Sequence, residues 1–526
     1  MWQQNYTPIG GSLGLSALVA ALPIFALLVL LGVIRKPAWM ASLAGLAAAA
    51  LVAVGVYGMP LGRLFAAVTY GAAFGLFPIG WVVFTAILLY RITLESGKFE
   101  VLKDSIGHLT TDSRLQALLI AFAFGAFIEG AAGFGTPVAV SAAMLAGLGF
   151  TPFYAAAICL LANTAPVAFG SIAIPITTLA VTTGLPVDRL SAGVGRICAP
   201  VSLFVPAYLI VVMSGWKGLR AVFPAAAVCG IAFAGTQFVV SNFISAQLTD
   251  ILASLVAMGA LIVVIRMSGQ RPPQSHSTRA IAHAWAPYAL LVVFVLTWGF
   301  AQAQLKHFDL PFNWPGLHNT IQRVPPVVPK PSGYPAEYKF TWLSASGTAC
   351  LFAAFLAAIV TGLKPRQFVR VVGHTAKQLA TAELTLAAVL ALAFLMNYSG
   401  ATATLGLAFA ATGTMFPFFS ALLGWLGVFL TGSDTSANAL FGTLQVVTAG
   451  KLGMNPVLMA SANSAGGVMG KMISLTSIAV AACATSMKRE DEALLFRFTL
   501  KHSVLLASAI GLIVVFYAYV MPGWAP

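Results

Sequence analysis

Glu129-Gly130-Ala131-Ala132-Gly133-Phe134-Gly135-Thr136-Pro137 sets a carboxylate and three glycines inside an otherwise apolar stretch. Roughly 300 residues later, Gly432-Ser433-Asp434-Thr435-Ser436-Ala437-Asn438-Ala439-Leu440-Phe441-Gly442 again sets a carboxylate, here with two glycines, inside an apolar stretch. Some thirty residues after each acid comes an Asn-hydroxyl-Ala step: Asn163-Thr164-Ala165-Pro166, then Asn463-Ser464-Ala465-Gly466. An ionisable side chain in hydrocarbon costs kilocalories, so each acid marks a functional-site hypothesis. Two of them at matching places in two halves is the pattern by which secondary carriers build a site from discontinuous helices.

The surrounding chain has the composition such a reading needs. Of 526 residues, 59% are hydrophobic and only 8% are charged, against about 25% charged in a soluble domain. Mean hydropathy is +0.92. The expectation is an all-α polytopic membrane protein of about twelve transmembrane helices at ~20 residues each. The spans fall near 13–34, 38–57, 71–90, 153–184, 197–214, 221–243, 250–266, 284–301, 342–362, 378–397, 455–486 and 502–521. Two of them, 153–184 and 455–486, are too long and too interrupted to be simple helices.

The net charge of +14 is no nucleic-acid patch, because the cations gather in short loops. These are Arg35 and Lys36; Arg91, Lys98, Lys103 and Arg114; Lys217 and Arg220; Arg266, Arg271 and Arg279; Lys364, Arg366 and Arg370; and Lys488, Arg489, Arg497 and Lys501. The positive-inside rule places all of them on the cytoplasmic side. The Pro-rich loop 302–341 and both termini then fall outside. Met1 to Ser12 lacks a basic segment, so the first helix reads as an uncleaved anchor. Cys159, Cys198, Cys229, Cys350 and Cys483 lie in apolar spans without metal or disulfide spacing, and read as small buried hydrophobes.

The acid-bearing stretches belong to a longer internal repeat. Ser96-Gly97 matches Ser399-Gly400, Leu148-Gly149-Phe150-Thr151-Pro152 matches Leu452-Gly453-Met454-Asn455-Pro456, Asn163 matches Asn463, and Gly170 matches Gly470. The apolar segments flanking each acid, 115–128 with 137–150 and 418–430 with 439–450, are about a dozen residues each, too short to span. They predict two re-entrant hairpins with tips at mid-membrane. An odd number of crossings between them makes this an inverted-topology repeat with discontinuous helices, each breaking at its Asn motif. The chain then divides into scaffold helices (1–90), a first repeat core (91–186), further scaffold with the external loop (187–397), a second, inverted core (398–486) and a C-terminal loop and last helix (487–526).

Irregular backbone at membrane depth is tolerated only where it lines a cavity, and the residue types present suit a small anion. Gly130, Gly133, Gly135, Gly466, Gly467 and Gly470 allow backbone to approach a ligand. Half-helix N–H groups favour negative charge. Thr136, Asn163, Thr164, Ser433, Thr435, Ser436, Asn438, Asn463 and Ser464 supply hydroxyls and amides. Of fourteen acids, Glu129, Glu383 and Asp434 are the three read within membrane segments, while all seven histidines fall in loops or at span edges. Proton handling then falls to carboxylates, since a buried one can take and release a proton near neutral pH. Lys471 is a cation close to the site, able to meet a substrate carboxylate, to pair with Asp434 or Glu383, or to snorkel. Arg196 is expected at the outer interface. Isolated glycines such as Gly71 and Gly75 read as helix packing. No metal, cofactor or nucleophile site is expected.

At these motifs the chain resembles the L-lactate permease family. The matching stretches are Phe127 to Pro137, Asn163-Thr-Ala-Pro-Val-Ala-Phe-Gly170, Thr431 to Gly442 and Asn463-Ser-Ala-Gly-Gly-Val-Met-Gly-Lys-Met472. The likeness covers nearly the whole chain. It implies import of 2-hydroxymonocarboxylates, L-lactate with D-lactate and glycolate, by proton symport across the bacterial inner membrane, as monomer or homodimer. One departure is Leu475-Thr476, beside the second break, where the family has Pro-Gln. The rival readings are a sodium-coupled carboxylate carrier of the same fold and a proton-translocating subunit of a respiratory complex. An intramembrane enzyme would need a nucleophile–base pair that the chain does not offer.

Overall fold

The computed structural model describes residues 1–107, 109–133, 135–267 and 276–525. His108, Phe134, Arg271 and Pro526 lie outside the described residues, as does the side chain of Arg489. The protein is helical nearly throughout. Eleven described helices are long and apolar enough to cross a membrane, or twelve if the bent pair Pro152–Ala162 and Val167–Thr183 is one span.

The count agrees with the sequence, but its membership differs. The expected span 342–362 is a helix of 15 residues, Ser346–Val360. The spans 197–214 and 221–243 are two legs of one helical run, Val187–Phe243, bent at Gly215 and Val222. Gly215 supplies φ +66 there, a left-handed conformation that only glycine adopts without strain. The first return arm, Thr136–Gly147, is a helix of 12 residues as expected, but the other arms are longer: Ser113–Ala131 is helical for 19, Phe416–Thr431 for 16, and Asp434–Leu452 for 19. Polar positions such as Gln116, Thr443 and Thr448, which sequence hydropathy reads as ends, are buried or partly buried and donate to backbone carbonyls. Cys483 is exposed, whereas the other four cysteines are buried.

The repeat is present element by element. Trp81–Glu95, Lys98–Gly107, the arms Ser113–Ala131 and Thr136–Gly147, and the broken helix from Pro152 to Thr183 form the first half. Pro365–Ser399, Ala401–Phe409, Phe416–Thr431, Asp434–Leu452, and Pro456–Lys471 with Leu475–Ala484 form the second. Paired glycines hold the same corners in both: Gly97 and Gly400 at φ +68 and +92, Gly149 and Gly453 at φ +94 and +67.

The halves face opposite ways. Arg114, at the mouth of the first hairpin, reaches the Gly218 carbonyl at the bend of Val187–Phe243. Thr414, at the mouth of the second, accepts from the Tyr519 hydroxyl beside the C-terminus. That terminal face also carries the N-terminus and the loop 302–341. Trp2 and Gln3 pair in parallel with Ile321 and Gln322, and Gln4 Nε2 donates to the carbonyls of Asn397 and Tyr398 at 2.9 Å each. Leu310–Asn313 and Glu337–Phe340 close an antiparallel ribbon over the same face.

The second helix break is not at its Asn motif. The first lies where the sequence puts it, with Pro152–Ala162 ending at Asn163. Pro456–Lys471 instead runs straight through Asn463 and Ser464 and stops at Met472–Ser474. Gly466 and Gly470 are packing glycines: a Cβ would meet the Ala421 carbonyl oxygen at 2.0 Å and that of Trp425 at 2.3 Å. Pro166 has no counterpart after Asn463, where Gly466 can stay helical. Gly71 and Gly75 likewise press on the backbone of Leu390 and Ala387.

Candidate functional site

The two hairpin tips meet. Glu129 and Gly135 from the first, and Gly432, Ser433, Asp434 and Thr435 from the second, line one cavity of about 170 Å³. Val167, Gly170, Ser171, Ile174 and Pro175 from the first break complete its wall, with Lys471, Thr476, Ser477 and Val480 around the second. The volume lies below the roughly 300–1,000 Å³ of drug-sized pockets, which fits a small solute.

Glycine shapes the first tip. Gly133 at φ +61 and Gly135 at φ +81 turn the chain between the arms. A Cβ on Gly170 would stand 2.6 Å from Glu129 Oε1, so the break admits the carboxyl only because that position is bare. Ser171 Oγ donates to the Ala132 carbonyl at 2.8 Å, tying break to tip. Ser171, Ile172 and Ala173 all sit in left-handed backbone, at φ +46, +58 and +58. Such a run is costly for residues bearing a Cβ, and strain of this kind gathers at functional sites. Glu129 Oε2 has no hydrogen-bond partner.

The second tip is held by a polar network. Asp434 opens its helix, whose cap is Ser433, with the hydroxyl accepting from the Ser436 amide. Asp434 Oδ2 accepts from Ser464 Oγ at 2.7 Å and Asn438 Nδ2 at 3.3 Å. Asn463 Nδ2 donates to Asn438 Oδ1 at 2.9 Å, and Gln445 Nε2 to Asn463 Oδ1 at 3.0 Å. Asn438 also reaches across to the Pro175 carbonyl at 3.2 Å, bonding the two halves together. Asp434 Oδ1 has no partner. Lys471 Nζ donates to the Gly432 carbonyl at 2.6 Å, and it forms no ion pair among the described residues.

The sequence-predicted residues thus fall into three groups. Glu129, Gly135, Ser433, Thr435, Asp434 and Lys471 line the cavity. Asn438, Asn463 and Ser464 stand behind Asp434 as its support, and Ser436 serves the cap. Gly133 forms the tip without lining the cavity, Thr136 starts the return arm, and Thr164 is bonded to its own helix at Leu161. Asn163 is buried with both amide atoms unpartnered. Glu383 lies elsewhere, against the bend at Gly80, where a Cβ would stand 2.0 Å from its Oε2. Arg196 anchors the C-terminal turn, through Asn242 at 2.7 Å, the Trp524 carbonyl and the Trp524 ring.

Sequence reading missed Ser171 and Ser477, whose hydroxyls carry no signal apart from the fold, and met Thr476 only as a departure from the family pattern, not as a site residue. It also missed Asp250. Placed at the edge of span 250–266, Asp250 is in fact only 1% exposed. A signal existed: between Arg220 and Arg266 it is the only charged residue.

A second cavity, of about 620 Å³, opens toward the basic loops. Ala139, Ala143 and Gly147 of the return arm line it with Ala484 and the rim residues Glu100 and Lys103. Gly135 and Val480, at the other ends of the same two elements, line the first cavity.

Inverted repeats, broken helices and a small charged cavity where they meet define a multi-pass membrane transporter rather than an enzyme. The L-lactate permease family model matches residues 16–521, and the chain belongs to that family. It is 44% identical to the glycolate permease GlcA of Escherichia coli over 99% of each chain. It is 45% identical to an L-lactate permease of Bacillus subtilis over 96% of each, and 42% identical to one from Salmonella typhimurium over the full length of both. Among solved structures, Neisseria gonorrhoeae MtrF is similar at 13% identity and TM-score 0.47, over 88% of this chain and 85% of that one. The Alcanivorax borkumensis YdaH transporter is similar at 14% and 0.45, over 87% and 88%.

Proposed function

We propose that the chain imports small 2-hydroxymonocarboxylates, L-lactate with D-lactate and glycolate, together with a proton across the bacterial inner membrane, its termini on the outer side. The observation that carries this reading is the convergence of Glu129, Asp434 and Lys471 on one small cavity between opposed hairpin tips. Lys471 is the cation for the substrate carboxylate, with the Ser433, Thr435, Ser171 and Thr476 hydroxyls available to the 2-hydroxyl and the remaining oxygen. The half-helix starting at Asp434 aims backbone N–H groups at the same space.

Proton coupling follows from electrostatics. An organic anion entering alone moves against an inside-negative potential, at ~2.3 kcal/mol per 100 mV. One proton per anion makes the step electroneutral and lets the pH gradient drive it. Glu129 and Asp434, each with an unpartnered carboxylate oxygen at the cavity, take that proton on the outer side. The hairpin cores then shift against the scaffold, and the solute leaves along Ala139, Ala143 and Gly147 toward the basic face.

The test is uptake of labelled lactate, glycolate, acetate and citrate into proteoliposomes under imposed pH and sodium gradients. Lactate and glycolate should accumulate with the pH gradient alone, and Glu129→Gln and Asp434→Asn should each abolish that accumulation. Accumulation that requires sodium, or full pH-driven accumulation in both variants, overturns the reading.

A further inference from the structure

Asp250 is the buried acid that this mechanism leaves unused. Neither of its carboxylate oxygens has a hydrogen-bond partner. It lies in the first turn of Thr249–Met267, packed on the tip of the first hairpin: a Cβ on Gly130 would stand 2.8 Å from Asp250 Cβ. Gly130 directly follows Glu129, and the two carboxyls act on one another electrostatically. Lys471, which shares the cavity, acts on Glu129 from a distance, but among the described residues no cation lies within 4 Å of either acid and none acts on Asp250.

An unpartnered amide lies beside Glu129, and a second buried amide with one free atom binds the loop after it. Asn163, 4% exposed, lies beside the Glu129 carboxyl without meeting hydrogen-bond geometry. Gln237 is fully buried and donates to the Ala165 carbonyl at 3.1 Å, while its own Oε1 has no partner. The second tip offers the contrast, since Asn438, Asn463 and Ser464 there are all bonded to protein. Two adjacent unpaired carboxylates cannot both stay ionised in a dry interior. A proton is the neutraliser that needs no further ligand. The titratable groups facing Asp250 are Glu129 from the hairpin and Cys198 from Val187–Phe243. The segments Ala117–Phe124 and Gly170–Thr183, also packed on its helix, carry none.

Asp250 also stands on the correct side for entry. Its helix starts just after the turn that follows Phe243, at the end of the molecule where Asn242 holds Arg196 and Phe238 stacks on Trp524. That is the terminal face, while the mouth of the first hairpin opens on the opposite one. We propose that Asp250 is a second proton-carrying carboxylate, receiving the incoming proton from the terminal face and passing it to Glu129 at the cavity. The step exchanges one O–H bond for another: the Asp250 carboxyl becomes a carboxylate as the Glu129 carboxylate becomes a carboxyl. It rests on the symport reading above.

The test compares wild type, Asp250→Asn and Asp250→Glu in proteoliposomes, measuring pH-driven lactate accumulation and, without a gradient, exchange of labelled for unlabelled lactate. Asp250→Asn should lose accumulation while keeping exchange, and Asp250→Glu should regain accumulation. Wild-type accumulation in Asp250→Asn overturns the proposal, as does equal loss of both activities in a variant that purifies normally. If Asp250→Asn does not survive purification, wild type is treated with dicyclohexylcarbodiimide, which modifies protonated carboxyls in apolar surroundings. Peptide mapping should find Asp250 modified, less so as pH rises from about 5 to about 9; no modification across that range overturns the proposal. Wild type that ignores the pH gradient overturns the symport reading itself, a separate and recognisable result.

Discussion

Ser464 Oγ donates to Asp434 Oδ2 at 2.7 Å, joining the two elements that carry the second-half motifs. Asn438 and Asn463 extend that bond into a buried chain ending at Gln445 and Ser420. A hydrogen bond to a charged group contributes about 1.5–3 kcal/mol. Ser464→Ala should therefore slow pH-driven uptake by about tenfold or more, since 1.4 kcal/mol is one decade. Ser464→Thr, which keeps the hydroxyl, should stay close to wild type. Initial uptake rates decide it, and an unimpaired Ser464→Ala would remove the network from the mechanism.

Lys471 makes a different kind of contact. Its ammonium holds the Gly432 carbonyl at 2.6 Å, which fixes it at the cavity without consuming its charge. Removing one member of a buried charge pair costs about 2–5 kcal/mol. Lys471→Gln should raise the KM for lactate by roughly thirtyfold or more on that scale, with normal amounts of protein in the membrane. Lys471→Arg should recover part of the affinity, because the charge returns in a wider, planar head group. Equal KM values in the Gln and Arg variants would show that charge is not what the substrate meets.

Much of this architecture is legible in the chain because it rests on glycine. Gly97 with Gly400 and Gly149 with Gly453 are repeated in sequence and share positive φ in the structure, a constraint that leaves a trace at fixed spacing. The acids are legible for the same reason, being too costly in lipid to occur idly. What sequence hides is which glycines turn the chain and which merely pack. Gly133 and Gly170 look like Gly466 and Gly470, yet Gly133 turns a hairpin tip and Gly170 leaves room for the Glu129 carboxyl, while Gly466 and Gly470 press on a neighbouring helix. Asp250 was hidden by its neighbours, since an acid at the start of an apolar run reads as a capping residue at the membrane edge. Ser171 and Thr476 enter the cavity only through backbone bends that no residue pattern announces.

The packing role of Gly466 has its own consequence. A methyl there would lie 2.0 Å from the Ala421 carbonyl oxygen, with no flexible side chain able to yield. Overpacking of a close core contact costs about 1–3 kcal/mol. Gly466→Ala should lower the thermal unfolding midpoint in detergent, and Gly466→Val should lower it further. Gly450, with open space around its Cα, is the control: Gly450→Ala should not lower it. A Gly466→Ala protein as stable as wild type would contradict the close approach of these helices.

Asp112 caps the inbound arm of the first hairpin, accepting from the Arg114 amide at 2.9 Å and from its guanidinium at 2.6 Å. That guanidinium holds the Asp112 carboxyl below its ordinary value of 3.8. A depressed folded value means the contribution is complete above the ordinary value and is lost as pH falls through the folded one. The cap is then fully ionised throughout the neutral and mildly acidic range, and lactate uptake at pH 5 to 8 should be insensitive to it (about where proteins are most stable). Asp112→Ala should cost roughly 1 kcal/mol of local stability, as lost caps do. Faster amide exchange over residues 114–117 in the variant is the expected result; unchanged exchange would show the cap to be idle.

The left-handed run Ser171–Ala173 supplies the last prediction, in which the sign is decided by magnitudes. Ala→Gly inside a helix ordinarily destabilises by about 0.5–1 kcal/mol through backbone entropy, and loss of a buried methyl adds about 0.8 kcal/mol. At Ala180, in the regular part of Gly170–Thr183 and buried, both penalties apply. At Ala173 the backbone stands at φ +58, where a Cβ already costs roughly 1–2 kcal/mol. Glycine removes that cost, so the two effects nearly cancel. Ala173→Gly should therefore unfold at close to the wild-type midpoint, while Ala180→Gly unfolds several degrees lower. The comparison uses the same substitution seven residues apart on one element, so differences in detergent or lipid drop out. Equal losses at both positions would mean that the strained turn beside Glu129 is not how the resting protein holds this cavity.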